Sequence, residues 1–166
     1  MQLKTRYRRV VLVSHPDHLA QYGPTDADTL ILSSDWLLAQ KAVGDAVYLE
    51  ALWSYPADGP LNSNLYTRAN DWIYIDDKDA TVFDGLSLGQ PLVVAITRVI
   101  REFTKIQGVL ENVLSRFTPS EIVLYDVRDP ICYLDNEIRR DIVAATAERF
   151  GVSVVDRFSP SKDGDP

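Results

Sequence analysis

Short apolar runs alternate with amphipathic helical runs along most of this chain, and this alternation constrains the fold more than any other feature. Five runs have the length and composition of buried strands: Arg9–Ser14, Thr29–Ser33, Ala46–Leu52, Glu121–Asp126 and Val152–Asp156. Strands separated by helices pair in parallel, and helices cover the faces of the sheet. The sequence therefore predicts an α/β fold: a Rossmann-like three-layer sandwich with a mainly parallel sheet of about five strands and one long helix.

The domain organisation follows from the chain length and from two breaks in the pattern. The 166 residues suit one domain with a sizeable core, and we predict a single Rossmann-like domain over 1–158. An aromatic, polar insertion at 53–86 interrupts the alternation. Residues 159–166 contain only Ser, Pro, Lys, Asp and Gly, which is typical of a linker or disordered tail. No internal repeat is apparent in the sequence.

The best-defined element is a helix from about Gln90 to Arg116, with Pro91 in its first turn. Apolar residues recur along it at spacings of four and three and form one seam: Leu92, Ile96, Val99, Phe103, Ile106, Leu110, Val113 and Phe117. At roughly 40 Å, the helix is about twice as long as a typical strand, so part of the seam must extend past the sheet. We expect the insertion to cover that part; the alternative is a homo-oligomer formed through the long helix.

Charge and composition exclude several classes of function. The chain has 17 basic and 24 acidic residues and a formal charge of −7, so it repels phosphate backbones and anionic lipid surfaces. From this charge we predict no nucleic-acid partner. We also predict no membrane insertion, because no apolar run reaches the roughly 18 residues of a membrane helix. Cys132 is the only cysteine, which excludes an intramolecular disulfide and favours a reducing, cytoplasmic location.

Motifs for common cofactors are missing from the sequence. No G-x-G-x-x-G follows a strand and no G-x-x-x-x-G-K-[ST] occurs, so we expect neither NAD-dependent nor P-loop chemistry and predict no cofactor. The acidic run Asp76-Asp77-Lys78-Asp79 lacks the spacing of a calcium loop. We accordingly predict no metal site.

The first candidate site segment follows the first strand, because ligands of parallel sheets bind outside the carboxyl ends of the strands. This segment is His15-Pro16-Asp17-His18 and contains both histidines of the chain. His-Pro-Asp after a strand resembles the first motif of zinc-dependent sugar deacetylases, His-Pro-Asp-Asp-Glu. Here His18 and Leu19 follow Asp17, and no later His-x-x-His occurs. The resemblance leaves a small metal-dependent hydrolase as one alternative.

Two further strands end in polar residues at the same predicted edge of the sheet. Ser34 and Asp35 follow the second strand, and Asp126, Arg128 and Asp129 follow the fourth. An aspartate can act as a base toward a sugar hydroxyl, and an arginine can hold a carboxylate or phosphate with two hydrogen bonds. A structural alternative is that these residues form the turns and pair with each other.

The segment Gly85-Leu86-Ser87-Leu88-Gly89 matches the G-x-S-x-G pattern of a nucleophile elbow. A serine nucleophile needs a histidine base, and no histidine follows Ser87 in the chain. We expect Ser87 instead to cap the long helix, with Gln90 completing a capping box. The pattern leaves a small serine-dependent hydrolase as a further alternative.

A longer stretch resembles the N-terminal part of bacterial surface-polysaccharide glycosyltransferases of the two-domain GT-B type. It runs from Asp71-Trp72-Ile73-Tyr74 through Asp84-Gly85-Leu86-Ser87-Leu88-Gly89 and the long helix to Ile122-Val123-Leu124-Tyr125-Asp126. In that family two Rossmann-like domains face each other; the N-terminal domain usually holds the acceptor and the C-terminal domain most of the sugar nucleotide. The resemblance implies that this chain is the acceptor-binding half, with a carbohydrate acceptor and a C-terminal sugar-nucleotide-binding domain as partners.

The resemblance also implies roles for the residues at the strand tips. The catalytic candidates are His15, Asp17 and Asp126. The substrate-binding candidates are His18, Ser34, Asp35, Ser87, Arg128 and Asp129. The alternative from a different functional class is a non-catalytic α/β ligand-binding or interaction module.

The implied C-terminal domain makes the native mass the first test. This chain has a mass of 18.7 kDa, and we expect the native protein in its source cell to have more than twice that mass. Intact-mass measurement of the endogenous protein checks this. A native mass equal to that of the chain would favour a binding module or a small hydrolase.

Overall fold

The computed structural model describes residues 3–53, 67–126 and 136–157. The chain divides into two compact units: Met1–Trp53 with Ile106–Pro166, here called the sheet unit, and Ser54–Lys105, here called the hairpin unit. The boundary of a single domain at residue 158 stays a prediction. The 159–166 tail lies outside the described residues.

The elements of the sheet unit are β1 (Arg9–Val13), α1 (Pro16–Tyr22), β2 (Thr29–Ser33), α2 (Trp36–Lys41), β3 (Asp45–Tyr48), β8 (Glu121–Leu124), α5 (Asn136–Arg149) and β9 (Ser153–Asp156). The hairpin unit contains α3 (67–71), β4 (Tyr74–Ile75), β5 (Lys78–Asp79), β6 (Val82–Phe83) and β7 (Leu86–Ser87). The long helix α4 (Val93–Phe117) belongs to the hairpin unit up to Lys105 and to the sheet unit from Ile106.

Among the described residues, five strands form one sheet in the order β3-β2-β1-β8-β9, and every neighbouring pair is parallel. β1 is the middle strand and is paired on both sides, with β2 from Arg9↔Thr29 and with β8 from Arg9↔Glu121. The strand order reverses direction between β1 and β8, which creates a topological switch point there.

Apolar residues cover both faces of the sheet, as three layers require. On one face Val10, Leu30 and Ile122 pack against the second half of α4 and against α5. On the other face Val11 and Ile31 pack with residues of α1 and α2. The predicted Rossmann-like sandwich is confirmed.

Helix α1 is a feature that the sequence interpretation missed, because it treated the segment after β1 only as a polar strand tip. His15 is the N-cap of this helix, and its side chain accepts a hydrogen bond from the backbone N–H of Asp17. Pro16 occupies the first turn, where its missing N–H costs nothing, and Asp17 adds a favourable charge at the N-terminus. The segment is therefore a helix start.

The predicted third strand, Ala46–Leu52, is wrong in its second half. β3 ends at Tyr48, and Leu49–Leu52 forms a 3-10 turn. Leu49 and Leu52 both pack on the core, and a three-residue spacing places them on the same side of such a turn. The carbonyl of Leu52 also accepts a hydrogen bond from the side-chain amide of Asn112, 2.8 Å away.

The hairpin unit contains two short hairpins of the same design. In the first, Asp76 and Asp77 have φ of 51° and 60°; in the second, Asp84 and Gly85 have φ of 48° and 76°. Positive φ at both central residues matches the two-residue turn that suits the twist of paired strands. Each strand of the second hairpin begins eight residues after its counterpart in the first. This short repeat corrects the sequence interpretation, which found none.

The seam of the long helix is only partly buried. Its second half, from Ile106 to Phe117, lies in the core of the sheet unit. In the hairpin unit, Ala69 and Ile73 of the predicted insertion pack against Val93 on a neighbouring stripe of the helix. Three seam residues remain substantially exposed: Leu92, Val99 and Phe103. Association of two copies through this helix stays a prediction.

A search of the described residues for a helix with the length and apolar character needed to cross a membrane finds none.

The buried half of the seam predicts a large stability difference between two leucines. Leu110 is 1% exposed and Leu37 is 54% exposed. Leu110→Ala should lower the free energy of unfolding by about 2–5 kcal/mol because it leaves a core cavity. Leu37→Ala should change it by about 0.5 kcal/mol or less. Urea denaturation followed by circular dichroism checks both, and equal losses would contradict the burial of this seam.

Candidate functional site

The candidate site lies at the carboxyl edge of the sheet, where β1 and β8 diverge. Both strands end side by side, since Leu12 pairs with Leu124. Two residues further on, the Ser14 hydroxyl donates a hydrogen bond to the backbone carbonyl of Asp126 at 3.0 Å. The switch point therefore places the tips of β1 and β8 in direct contact, which is where ligands of open α/β sheets bind.

His18 is a fully buried polar residue at this edge, with none of its surface exposed. Its Nδ1 accepts a hydrogen bond from the backbone N–H of Ser14 at 3.2 Å, and its Nε2 lies 3.2 Å from Asp126 Oδ1. Its ring stacks on that of Tyr125, with centroids 4.9 Å apart and planes 11° apart. His18 cannot touch a substrate in this arrangement, so its role as a substrate-binding residue is not supported by its position.

Asp126 combines contact with the protein interior and access to solvent. Its side chain is 19% exposed, although it lies against the fully buried imidazole of His18. Burial raises the pKa of the neighbouring Tyr125 phenol above its ordinary value, and the positive charge of Arg157 partly offsets this shift. Among the three catalytic candidates, Asp126 thus has the least exposed side chain.

His15 and Asp17 form a second, more exposed pair. His15 Nδ1 accepts the N–H of Asp17 at 3.2 Å and lies 3.3 Å from Asp17 Oδ2. Their side chains are 42% and 59% exposed. The ring of His15 is 6.0 Å from that of His18, so this pair belongs to the same edge.

Ser34 and Asp35 follow β2 at the same edge, and both have backbone roles. The N–H of Ser34 donates to the carbonyl of Val13 at 3.2 Å. Asp35 is the N-cap of α2, and its Oδ1 accepts the N–H groups of Leu37 and Leu38. Both side chains are exposed, so a ligand could reach them. Arg128 and Asp129 lie outside the described residues.

Two residues that sequence reasoning missed also line this edge. Tyr125 and Arg139 border a small cavity of about 30 Å³ together with Ser14, Ser34 and Ile106. Tyr125 was detectable, because it lies two residues after the buried Val123 and extended backbone places such residues on the same face. Arg139 carries no such signal, since only the packing of α5 brings it to the sheet.

A larger groove lies over β8 and β9 on the face covered elsewhere by α1. Its volume is about 420 Å³, and Arg9, Tyr22, Val155 and Arg157 are among its lining residues. This volume falls within the roughly 300–1,000 Å³ of small-molecule sites, whereas the 30 Å³ cavity does not. Among the described residues, the cavity at the carboxyl edge is therefore smaller than an ordinary small-molecule site.

Ser87 does not form a nucleophile elbow, because it lies in a hairpin strand rather than between a strand and a helix. Its oxygen accepts the backbone N–H of Gln90 at 3.1 Å. The long helix begins only at Val93, and the N-cap of the 3-10 turn before it is Gly89, which makes no side-chain capping bond. The side chain of Gln90 donates to the Tyr74 hydroxyl instead of reaching back to Ser87, so the predicted capping box is wrong. The Ser87 hydroxyl bonds the carboxylate of Asp79.

Among the described residues, no group of three His, Cys, Asp or Glu side chains converges as a metal site requires. Both ring nitrogens of His18 already face protein groups. A metal ligand role for His18 would require breaking one of these contacts.

The contacts of Ser87 generate a prediction about Asp79. The hydrogen bond from Ser87, followed by that from Thr81, lowers the pKa of the Asp79 carboxyl below its ordinary value. Ser87→Ala should raise this pKa toward the ordinary value, as measured by carbon-detected NMR titration of Asp79. Ser153→Ala, which removes a hydroxyl bonded to the Ser120 carbonyl, serves as the control.

The sign of the stability effect follows from the lowered pKa. Ionised Asp79 stabilises the fold at pH values above its unfolded-state pKa, and this contribution is lost as pH falls through the lower folded-state pKa. Ser87→Ala should therefore weaken stability more at neutral pH than after Asp79 is protonated, when only the loss of the Gln90 hydrogen bond remains. An unchanged Asp79 titration would show that the Ser87 hydroxyl is not committed to this carboxylate.

Comparisons of this chain with protein-family models, with curated proteins and with solved structures find no match.

Proposed function

We propose that this chain is the N-terminal, acceptor-binding domain of a GT-B type glycosyltransferase, which transfers a sugar from a sugar nucleotide during surface-polysaccharide biosynthesis. The observation that carries the proposal is the position of Asp126. This carboxylate is partly exposed at the switch point of a parallel sheet, beside the β1 tip that carries His15 and Asp17.

The chemistry of transfer to a hydroxyl suits such a carboxylate. The acceptor oxygen attacks the anomeric carbon of the donor sugar as the bond to the nucleotide diphosphate breaks, and the hydroxyl proton must pass to a base. In this proposal Asp126 accepts that proton. His15 lies on the exposed side of the same edge and binds the acceptor.

The small volume of the cavity at this edge supports a site shared between two domains. Among the described residues, the cavity beside Ser14 and Ser34 measures about 30 Å³, far below the volume of ordinary ligand pockets. A sugar acceptor would lie on the surface of the edge, and a C-terminal sugar-nucleotide-binding domain would close the site from the other side. Transfer between cytoplasmic sugar nucleotides and a growing glycan places the protein in the cytoplasm.

Replacement of Asp126 tests the proposed base. In the native protein, Asp126→Asn should lower the rate of sugar transfer by about 10²–10⁴-fold, because the amide cannot accept the proton. Asp76→Asn is the matched control: Asp76 lies in an exposed hairpin turn at φ 51°, a conformation that asparagine tolerates. The control should retain full activity.

Titration of the chain with candidate acceptor glycans locates the binding surface by NMR. We expect shift changes to cluster near His15, Asp35 and Asp126. Changes confined to Arg9, Tyr22 and Arg157 would instead place the acceptor in the groove over β8 and β9. If Asp126→Asn binds and transfers like the unmodified protein, the catalytic assignment is wrong and a non-catalytic binding module is favoured.

A further inference from the structure

We propose that His18 is a positioning residue: it stays neutral, carries its proton on Nε2 and orients the Asp126 carboxylate. This inference deepens the proposed function, on which its catalytic consequence rests. It assigns His18 a role other than substrate binding or catalysis of proton transfer. The structural part of the proposal concerns the chain alone.

The state of Nδ1 follows from its hydrogen-bond partner. The backbone N–H of Ser14 can only donate, and it points at Nδ1 with a nitrogen–nitrogen distance of 3.2 Å. Nδ1 must therefore present a lone pair. A proton on Nδ1 would face the Ser14 N–H proton, so both the other tautomer and the doubly protonated ring would lose this contact.

Burial of the imidazole also favours the neutral form of His18. The imidazole has no exposed surface, and one of its faces is covered by the Tyr125 ring. Removal from water disfavours the charged form of histidine. Among the described residues, the groups that face the ring include the Asp126 carboxylate, which follows β8, the Tyr125 phenol and the His15 ring of its own segment. Of these three groups, only the Asp126 carboxylate favours a charged ring, and a neutral ring can donate its Nε2–H to this carboxylate.

With Nδ1 as acceptor, the single ring proton is on Nε2 and faces Asp126. Nε2 lies 3.2 Å from Asp126 Oδ1, which is a hydrogen-bond distance, but the N–H direction is not aligned with this oxygen. Contacts of this kind in an unliganded site often tighten when substrate binds. His18 thereby links the Ser14 backbone on β1 to the carboxylate that follows β8, across the switch point.

This linkage determines what His18 can do. A base needs a lone pair directed at the substrate, but the His18 lone pair is occupied by Ser14 and its ring is enclosed. The same imidazole can fix the rotamer of Asp126, whose side chain does reach solvent. Small displacements of a catalytic group can cost about a hundredfold in rate, so the effect of this contact on transfer should be large.

Two substitutions separate the contacts of the two ring nitrogens. His18→Asn places an amide near the position of Nδ1 and can still accept from Ser14, but it loses the contact with Asp126. His18→Gln places an amide nitrogen near the position of Nε2 and can still donate to Asp126, but it loses the contact with Ser14. Each variant removes one contact and the ring stack, so each serves as a control for the other.

The structural test uses the chain without any glycan. Long-range nitrogen–proton NMR of the imidazoles at neutral pH should show His18 as the neutral Nε2–H tautomer. The side-chain carboxyl signal of Asp126 should shift in His18→Asn and stay near its original position in His18→Gln. An Nδ1–H tautomer, a charged ring, or equal shifts in both variants would overturn the proposal, whatever the function of the protein.

The catalytic test uses the native protein and the same two variants. His18→Asn should lower kcat for sugar transfer by about a hundredfold with little change in the acceptor KM, because His18 does not touch the acceptor. His18→Gln should retain activity within about tenfold. Equal losses in both variants would overturn the positioning role. Absence of transfer by the unmodified protein would refute the proposed function, while the spectra would still decide the state of His18.

Discussion

The parallel pairing of β1 with β8 is the constraint on which the site of this protein depends. β1 occupies the middle of the sheet and is paired on both sides, so any shift of its register would break its ladders with both β2 and β8. The register that aligns Leu12 with Leu124 also aligns the two strand tips. Ser14, His18 and Asp126 meet because of this register.

Helix α1 brings the side chains of His15 and His18 to the aligned strand tips. His15 caps the helix, Pro16 starts it, and the first turn then directs His18 back under the β1 tip. The buried imidazole satisfies a backbone N–H of one strand end and contacts a carboxylate of the other. Buried polar groups are costly unless they are paired, so this contact both stabilises the edge and restricts what the carboxylate can do. The side chains of His15 and Asp17 are exposed on the outer side of the same edge.

Different interactions order the backbone in the two units of the chain. The sheet unit depends on apolar packing on both faces of a sheet. The hairpin unit has a small core, and its two tight turns depend on residues that tolerate positive φ, Asp76 and Asp77 in one and Asp84 and Gly85 in the other. Ser87 also orders the backbone of the hairpin unit. Its bond to Asp79 connects the second hairpin to the first, and its bond to Gln90 connects that hairpin to the start of the long helix.

Local sequence signals predicted much of the fold. Thr29–Ser33 is a strand at the predicted bounds, because five consecutive apolar or β-forming residues leave little choice in a buried sheet. The long helix begins at Val93 rather than Gln90, because the Pro91 turn adopts 3-10 geometry first. The third strand ends early, because Leu49 and Leu52 reach the core from a turn as well as they would from a strand.

The site could be predicted only in outline. Asp126 and the His15–His18 segment follow strands, and that order in the sequence places them at one edge. Sequence order does not reveal burial, so His18 was grouped with substrate-binding residues although its ring is enclosed. Nor does it show that Ser87 lies in a hairpin strand and is not the N-cap of the long helix, because G-x-S-x-G describes spacing and not conformation.

By itself, the sequence determined the α/β class, the parallel sheet and the edge at which polar side chains gather, because hydrophobic periodicity and strand order are local properties. The tertiary structure alone decided which of those side chains meet, which are buried, and which nitrogen of His18 faces Asp126. The physical reason is that hydrogen-bond partners and burial arise where β1 and α1 meet the end of β8, and the contacting residues Ser14 and Asp126 are 112 positions apart in the chain.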